Sequence, residues 1–280
     1  MKRPLLHISH DFSPDPVHLS QSANLPFSSK HEALRFLLSC TDHTILGDLD
    51  TPRQVERHCD HVLFPSESIT PPVFPASVCT YPVFIPVVSQ RLLDSPIKVC
   101  SVAGAFPSGQ SPLEIRLKEA EYALKNGADE IDMVISRGRL LARDYQYVQN
   151  EIGRFRSITG KATLKVILET SQLQKPDHIV KAAEIALHQG ADFLKTSTGK
   201  GPRGAEPGPF LIMCECLKQW AEITGQRKGI KVSGGISHLE TALFYMKLTC
   251  AHLGPQWLCK DLFRIGSSKL AGNILQLLAA

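Results

Sequence analysis

Five charged residues stand inside runs that are otherwise apolar. Asp132 lies within Glu130-Ile131-Asp132-Met133-Val134, Lys165 and Glu169 within one run at 164–169, Lys195 within Phe193-Leu194-Lys195-Thr196, and Lys231 within Gly229-Ile230-Lys231-Val232. A buried charge is expensive unless it is paired or used. A lysine amine, with an ordinary pKa of about 10.4, must lose its proton before it can attack a carbonyl. A second ammonium about 5 Å away, in an effective dielectric near 20, favours the neutral amine by about 3 kcal/mol, and partial desolvation adds to that. Lys195 and Lys231, on successive strands with the same alternation, are such a pair. The chemistry they predict is imine formation with a small carbonyl substrate. For one strand lysine alone, an ion pair with a carboxylate such as Asp132 is the better reading; two lysines and an aspartate together favour catalysis. Asp132 has its own bland alternative as a lysine counter-ion, which would oppose activation. Its service as an acid/base group requires placement toward a substrate hydroxyl or a water.

A second group of residues has the chemistry of an anion site. Ser233-Gly234-Gly235 and Gly266-Ser267-Ser268 each follow an apolar strand, and exposed amides, serine hydroxyls and a helix N-terminus together cradle a phosphate. The competing reading is two ordinary strand-to-helix turns with Ser as the cap. Lys269 adds a cation there. Two further patterns are discounted. Gly199-Lys200-Gly201-Pro202-Arg203-Gly204 fits a dinucleotide fingerprint, but Pro202, Pro207 and Pro209 break the helix that should open at that point. His58 and His61 sit on an expected outer helix without a third ligand at recognised spacing, so no metal site is expected.

The elements that must position these residues repeat along the chain. Short β-rich runs at 43–46, 77–81, 97–103, 130–135, 164–169, 193–198, 229–233 and 263–266 alternate with amphipathic stretches such as 112–126, 176–189 and 209–224. Lys125-Asn126-Gly127-Ala128-Asp129 and His188-Gln189-Gly190-Ala191-Asp192 are near-copies, each leading a helix into a strand. Eight such units predict an α/β fold, a (β/α)8 TIM barrel with an N-terminal capping helix near 31–39, ahead of a doubly wound open sheet. The barrel domain should span 30–280. Residues 1–29, rich in Ser, Pro, His and Asp, are expected to form a flexible or loosely packed extension. In such barrels the active site lies at the C-terminal ends of the strands, and phosphate commonly binds after strands seven and eight.

Composition narrows the partners. Of 280 residues, 43% are hydrophobic, which is enough for a sizeable core, and the net charge of +4 comes from scattered single lysines and arginines rather than a nucleic-acid-binding stripe. Eight cysteines show no C-x-x-C spacing, so reduced thiols and a cytoplasmic location are expected. The N-terminal residues do not read as a signal peptide, and no run suggests a membrane span.

Around Leu194-Lys195-Thr196-Ser197-Thr198-Gly199-Lys200 the chain resembles the deoxyribose-phosphate aldolases. The resemblance continues, in order, through Thr41-Asp42-His43-Thr44, Ser77-Val78-Cys79-Thr80-Tyr81-Pro82, Ala128-Asp129-Glu130-Ile131-Asp132-Met133-Val134, Leu164-Lys165-Val166-Ile167-Leu168-Glu169-Thr170 and Gly229-Ile230-Lys231-Val232-Ser233-Gly234-Gly235. It implies reversible cleavage of 2-deoxy-D-ribose 5-phosphate without metal or organic cofactor. It makes Lys195 the Schiff-base lysine, Lys231 the lysine that tunes it, Asp132 the acid/base carboxylate and Asp42 the partner of the second lysine. Thr44, Cys79, Thr198, Gly199, Lys200, Gly234, Gly235, Gly266, Ser267 and Ser268 are the implied substrate and phosphate contacts. The implied partners are a small phosphosugar and a second copy in a homodimer. Three departures stand out: the chain ends Leu277-Leu278-Ala279-Ala280 without the tyrosine-bearing tail of many bacterial members, Lys269 replaces a small hydroxyl residue, and residues 1–29 have no counterpart in shorter members. A Schiff-base aldolase for another phosphosugar and a non-catalytic phosphosugar-binding protein are the alternatives.

Overall fold

The computed structural model describes residues 6–9 and 12–279. Its elements, in chain order, begin with α1 (Pro16–Ser22), α2 (Lys30–Ser39), β1 (Thr41–Thr44), α3 (Pro52–Ser68), β2 (Ser77–Thr80), α4 (Ile85–Arg91), β3 (Lys98–Ala103) and α5 (Leu113–Lys125). They continue with β4 (Glu130–Val134), α6 (Arg137–Leu141), α7 (Tyr145–Thr159), β5 (Thr163–Ile167), α8 (Thr170–Leu173), α9 (Pro176–His188) and β6 (Phe193–Lys195). The last are α10 (Pro207–Thr224), β7 (Gly229–Ser233), α11 (Leu239–Leu253), β8 (Phe263–Ser267) and α12 (Leu270–Ala279). The eight strands pair in parallel and in sequence order, and β8 closes onto β1 with Asp42 opposite Gly266. The expected barrel is therefore the observed one.

Local chemistry explains where the elements begin. Thr51 and Gln54 form a capping box at the start of α3, Ser29 accepts from the amide of Glu32 at 3.1 Å to open α2, and prolines 176 and 207 lead α9 and α10. The two near-copies do the same work twice. Asp129 Oδ2 accepts from the Val99 amide at 2.9 Å and Asp192 Oδ2 from the Leu164 amide at 3.0 Å, so each aspartate anchors the strand it enters to its predecessor. Alternation then divides each strand. Ile131, Leu164, Leu194, Ile230 and Ile265 face the helices and join the main apolar core, leaving the other row to the lumen. α2 closes the N-terminal end of the barrel, with Phe36 stacked on Phe263 at 6.5 Å between ring centres.

Two expectations need correction. Strand six ends at Lys195 and strand five at Ile167, shorter than the runs at 193–198 and 164–169, because the apolar pattern continues into buried loop backbone. The N-terminal stretch, expected to be flexible or loosely packed, carries α1, which lies against α10 and α11. Leu6 is buried, Phe12 meets the His252 ring edge-on at 5.9 Å, and the Asn24 carbonyl accepts from Cys250 Sγ at 3.4 Å. Its apolar residues follow no helical or strand period because each fills a separate gap on the barrel's outer surface. The part of that expectation that falls on 1–5, 10 and 11 lies outside the described residues.

Candidate active site

The lumen-facing row is charged where most barrels are filled with aliphatic side chains. β1 supplies Asp42, β4 Glu130 and Asp132, β5 Lys165, β6 Lys195, β7 Lys231 and β8 Arg264. Asp132 is the hub. Its Oδ2 accepts from Lys195 Nζ at 2.7 Å and Lys231 Nζ at 2.6 Å, and its Oδ1 from Lys165 Nζ at 2.9 Å and Cys100 Sγ at 3.3 Å. Sharing one oxygen holds the Lys195 and Lys231 nitrogens at most about 5 Å apart, the separation at which two ammonium charges interact strongly in a protein interior. Asp42 Oδ2 lies 2.5 Å from Lys231 Nζ, its Oδ1 accepts from Arg264 at 2.6 Å, and Glu130 ties Arg264 at 3.0 Å to Lys165 at 2.5 Å.

The network holds four cations and three carboxylates, one positive charge in surplus. Burial alone would push the Asp132 and Asp42 carboxyls up. The surrounding cations outweigh it, Lys165 first for Asp132 and Lys231 first for Asp42, and hold both below the ordinary carboxylate value. Burial likewise disfavours charge on Lys231 and Lys165, but Asp132 and its neighbours overcome this and keep both protonated. Among the three lysines only Lys195 has any exposure, 2% against none for Lys165 and Lys231.

Lys195 forms the floor of a cavity of about 600 Å³ at the C-terminal end of the barrel. Thr44, Thr198, Gly199, Lys200, Gly234, Gly235, Gly266, Ser267 and Ser268, all expected from the sequence, line the same cavity, as does Lys269. Asp42, Asp132, Lys231 and Cys79 are not among its lining residues, and all four are fully buried. Two glycines are required by close approach. A Cβ on Gly204 would stand 2.2 Å from the Gly234 carbonyl oxygen, and one on Gly266 would stand 3.1 Å from Lys231 Cε. The capping reading also holds at Ser267, whose hydroxyl accepts from the Lys269 and Leu270 amides at 3.3 and 3.2 Å. Lys200 reaches across the mouth to Asp48 at 3.2 Å.

Sequence reasoning left several members of this site without a role. The sequence marks Lys165 only as a charge in a strand, whereas it touches Asp132, Glu130 and Cys100. Its signal was its register, directly opposite Asp132. Glu130 and Arg264 also occupy lumen positions by alternation, but their meeting depends on barrel closure. Glu169 lies beyond β5 in the left-handed region, at φ 55°, where its carboxylate accepts from the amide of Thr198 at 3.1 Å and from the Thr198 hydroxyl, with Arg137 3.6 Å away. It fixes the loop that carries Thr198, Gly199 and Lys200.

Gly199 and Lys200 of the first discounted motif line the cavity, and so does His58 of the second. Gly199–Gly204 is loop, and the next helix begins only at Pro207. His58 stacks on His43 at 3.6 Å; burial lowers His58 to about 4 and His43 well below the ordinary imidazole value, so both rings are neutral at pH 7. Among the described residues, Cys79, Cys100 and Asp132 are the one group with three metal-ligand atoms, all within 4.8 Å of one another. Three lysines already hold the Asp132 carboxylate, and their charge opposes a cation there.

Residues 36–255 match the DeoC/LacD family aldolase model. The chain is 35% identical over 247 residues to the deoxyribose-phosphate aldolase of Homo sapiens, covering 83% of this chain and 76% of that one. It is 38% identical over 216 residues to the deoxyribose-phosphate aldolase of Caldanaerobacter subterraneus, covering 76% and 86%. A solved structure of deoxyribose phosphate aldolase from Aeropyrum pernix, described as a unique tetramer, superposes with a TM-score of 0.71 at 26% identity, covering 95% of this chain and 97% of that one.

Proposed function

The chain belongs to the DeoC/LacD aldolase family, and from that premise we propose that it cleaves 2-deoxy-D-ribose 5-phosphate reversibly to D-glyceraldehyde 3-phosphate and acetaldehyde, with Lys195 as the nucleophile. The observation that carries the assignment is the placement of Lys195. It is a member of a buried network with one surplus positive charge, and its amine is the one that meets the cavity. Lys165 and Lys231 are held protonated by the carboxylates around them and do not line the cavity. Lys195 is therefore the lysine of the network that a substrate carbonyl can reach.

The phosphate of the open-chain sugar binds at Gly234, Gly235 and the turn that opens α12, with Lys269 contributing charge. Lys195 Nζ attacks the C1 aldehyde, giving a carbinolamine that loses water to an iminium. The iminium is the electron sink for breaking the C2–C3 bond as the C3 hydroxyl gives up its proton, with Asp132 and a water as the relay. Glyceraldehyde 3-phosphate leaves; protonation and hydrolysis of the enamine release acetaldehyde. Lys231 keeps positive charge beside the amine, and Asp42 and Arg264 orient Lys231 from below. Because the iminium supplies the sink, the reaction needs no metal or organic cofactor, and chelation should leave the rate unchanged.

Borohydride reduction in the presence of acetaldehyde, followed by peptide mass mapping, tests the reading. A reduced two-carbon adduct on Lys195 is expected; an adduct elsewhere, or none, overturns it. Product analysis with a panel of phosphosugars separates this substrate from others. We place the enzyme in the cytoplasm, a location that its eight free cysteines suit, as a homodimer acting on a small phosphosugar, without nucleic-acid or membrane partners. Among the described residues no helix is long and apolar enough to cross a membrane.

A further inference from the structure

Two thiols lie in the barrel lumen, and the mechanism does not use them. Cys79 on β2 and Cys100 on β3 are direct register partners on adjacent parallel strands, and both point into the lumen, where they pack with Val102 under Leu46, Tyr81 and Phe106. Neighbouring strands run about 4.8 Å apart, inside the window of about 4.4–6.8 Å between Cα atoms that a disulfide spans. The two sulfurs lie within 4.8 Å of each other. We propose that Cys79 and Cys100 are a reversible redox site: hydrogen peroxide links them as a disulfide inside the barrel and thereby switches off the catalytic network.

The surroundings assign each thiol its part. Contact with the Cys100 thiol, followed by the charges of Lys231 and Lys195, lowers Cys79 and favours its thiolate, the nucleophilic form. Burial and the neighbouring Cys79 hold Cys100 protonated. The Cys79 thiolate attacks one oxygen of the peroxide; an S–O bond forms, the O–O bond breaks, and hydroxide leaves to take up a proton as water. Cys79 is then a sulfenic acid. Cys100 gives up its proton and attacks that sulfur; the S–S bond forms, the S–O bond breaks, and a second water departs. Two thiols have been oxidised and one peroxide reduced to two waters.

The link reaches catalysis through Asp132. Cys100 Sγ donates to Asp132 Oδ1 at 3.3 Å and accepts from Lys165 Nζ at 3.4 Å. A disulfide has no proton to donate, and rotating Cys100 toward Cys79 takes its sulfur away from both groups. The carboxylate that holds Lys195 and Lys231 thus loses one of its four donors. In a reducing compartment such a bond is transient, as regulatory disulfides are.

The test treats the purified enzyme with hydrogen peroxide, alkylates the remaining thiols, digests without reduction and maps the peptides. A cross-linked pair lighter by two hydrogens than its separate parts is expected. Fragmentation must assign the bond to Cys79, since Cys59 falls in the same tryptic segment. Activity should fall at least tenfold in proportion to the linked fraction and return with dithiothreitol. Cys100→Ser, measured against its own untreated activity, should form no link and lose less of that activity at the same peroxide dose. Oxidation confined to the more exposed Cys259, an oxygen-bridged link from Cys100 to Lys165, or Cys100→Ser inactivated as deeply as the parent at the same dose would each overturn the proposal. The activity arm rests on the aldolase reading, but the cross-link does not: a chain without aldolase activity that still links Cys79 to Cys100 refutes only that reading.

Discussion

Replacing Lys231 by methionine removes a buried cation while nearly preserving volume, so the consequences are electrostatic. Lys231 Nζ lies 2.5 Å from Asp42 and 2.6 Å from Asp132, with no exposure. In an effective dielectric near 20, one such contact is worth about 6–7 kcal/mol of attraction. Dehydrating the buried ions offsets several kcal/mol each, which leaves a net loss of about 3–5 kcal/mol when one partner of a buried network is deleted. Urea denaturation at pH 7 should show that loss, and aldehyde release should fall to background. The pH dependence is the sharper check. Asp42 and Asp132 are held below their unfolded value of about 3.9, so in the parent their stabilisation is present above that value and is lost as pH falls through their folded values. In Lys231→Met the two carboxylates are less well paired and take up protons at higher pH. The gap between parent and variant should then narrow below neutrality, by about 1.4 kcal/mol per pH unit for each carboxylate protonated in the variant but not in the parent. A gap that stays constant from pH 7 to pH 4, or one below about 1 kcal/mol at pH 7, would refute the argument that Lys231 is held by both aspartates.

Other parts of the site have separate readouts. Glu169→Gln weakens two charge-assisted hydrogen bonds to Thr198 by about 1–2 kcal/mol together, so KM for the phosphosugar should rise about 5–30-fold while kcat changes little; an unchanged KM would remove the Thr198 loop from the binding site. Gly204→Ala drives a methyl into the Gly234 carbonyl, and inorganic phosphate should then compete at least about tenfold more weakly, a cost of about 1.4 kcal/mol, while borohydride still traps acetaldehyde on Lys195. Loss of both properties together would mean that the barrel mouth, rather than the phosphate loop, had been disturbed. Deleting residues 1–28 uncovers the surface of α10 and α11 on which α1 lies and should lower the thermal midpoint by about 5–10 °C, from about 2–3 kcal/mol of lost packing. An unchanged midpoint in calorimetry would show that the segment contributes no stability.

The parts of the molecule that were legible in the sequence are those specified by residues close together in the chain. Alternation along 229–233 puts Lys231 on the face opposite Ile230 and Val232 before any neighbour is known, and the proline and glycine signals bound the helices within a few residues. Glu169 shows where this fails. The apolar run at 164–169 reads as one strand, but its last residues leave the sheet, and the carboxylate turns back to hold Thr198. A left-handed residue that is not glycine or asparagine gives little local warning. The N-terminal stretch fails for a related reason: Leu6, Phe12 and Leu25 have no shared period because the gaps they fill belong to other elements.

Arg264 marks the deeper limit. Its alternation is as clear as that of Lys195, yet its partners Asp42 and Glu130 lie 222 and 134 residues away, and only the closure of β8 onto β1 brings them within reach. Without Arg264 the lumen holds three lysines and three carboxylates and is neutral, and a neutral network has no electrostatic reason to release a proton from any of its amines. Arg264 is the permanent cation, since a guanidinium does not deprotonate in a protein. It stands at the foot of the network, bound to two carboxylates, and leaves the lysines with more positive charge than the acids can offset. On this argument the charge balance around Lys195 depends on a residue that does not line the cavity. Arg264→Met should therefore shift the rise of kcat/KM to higher pH. A profile that kept its position while the rate fell uniformly would assign Arg264 to scaffolding alone.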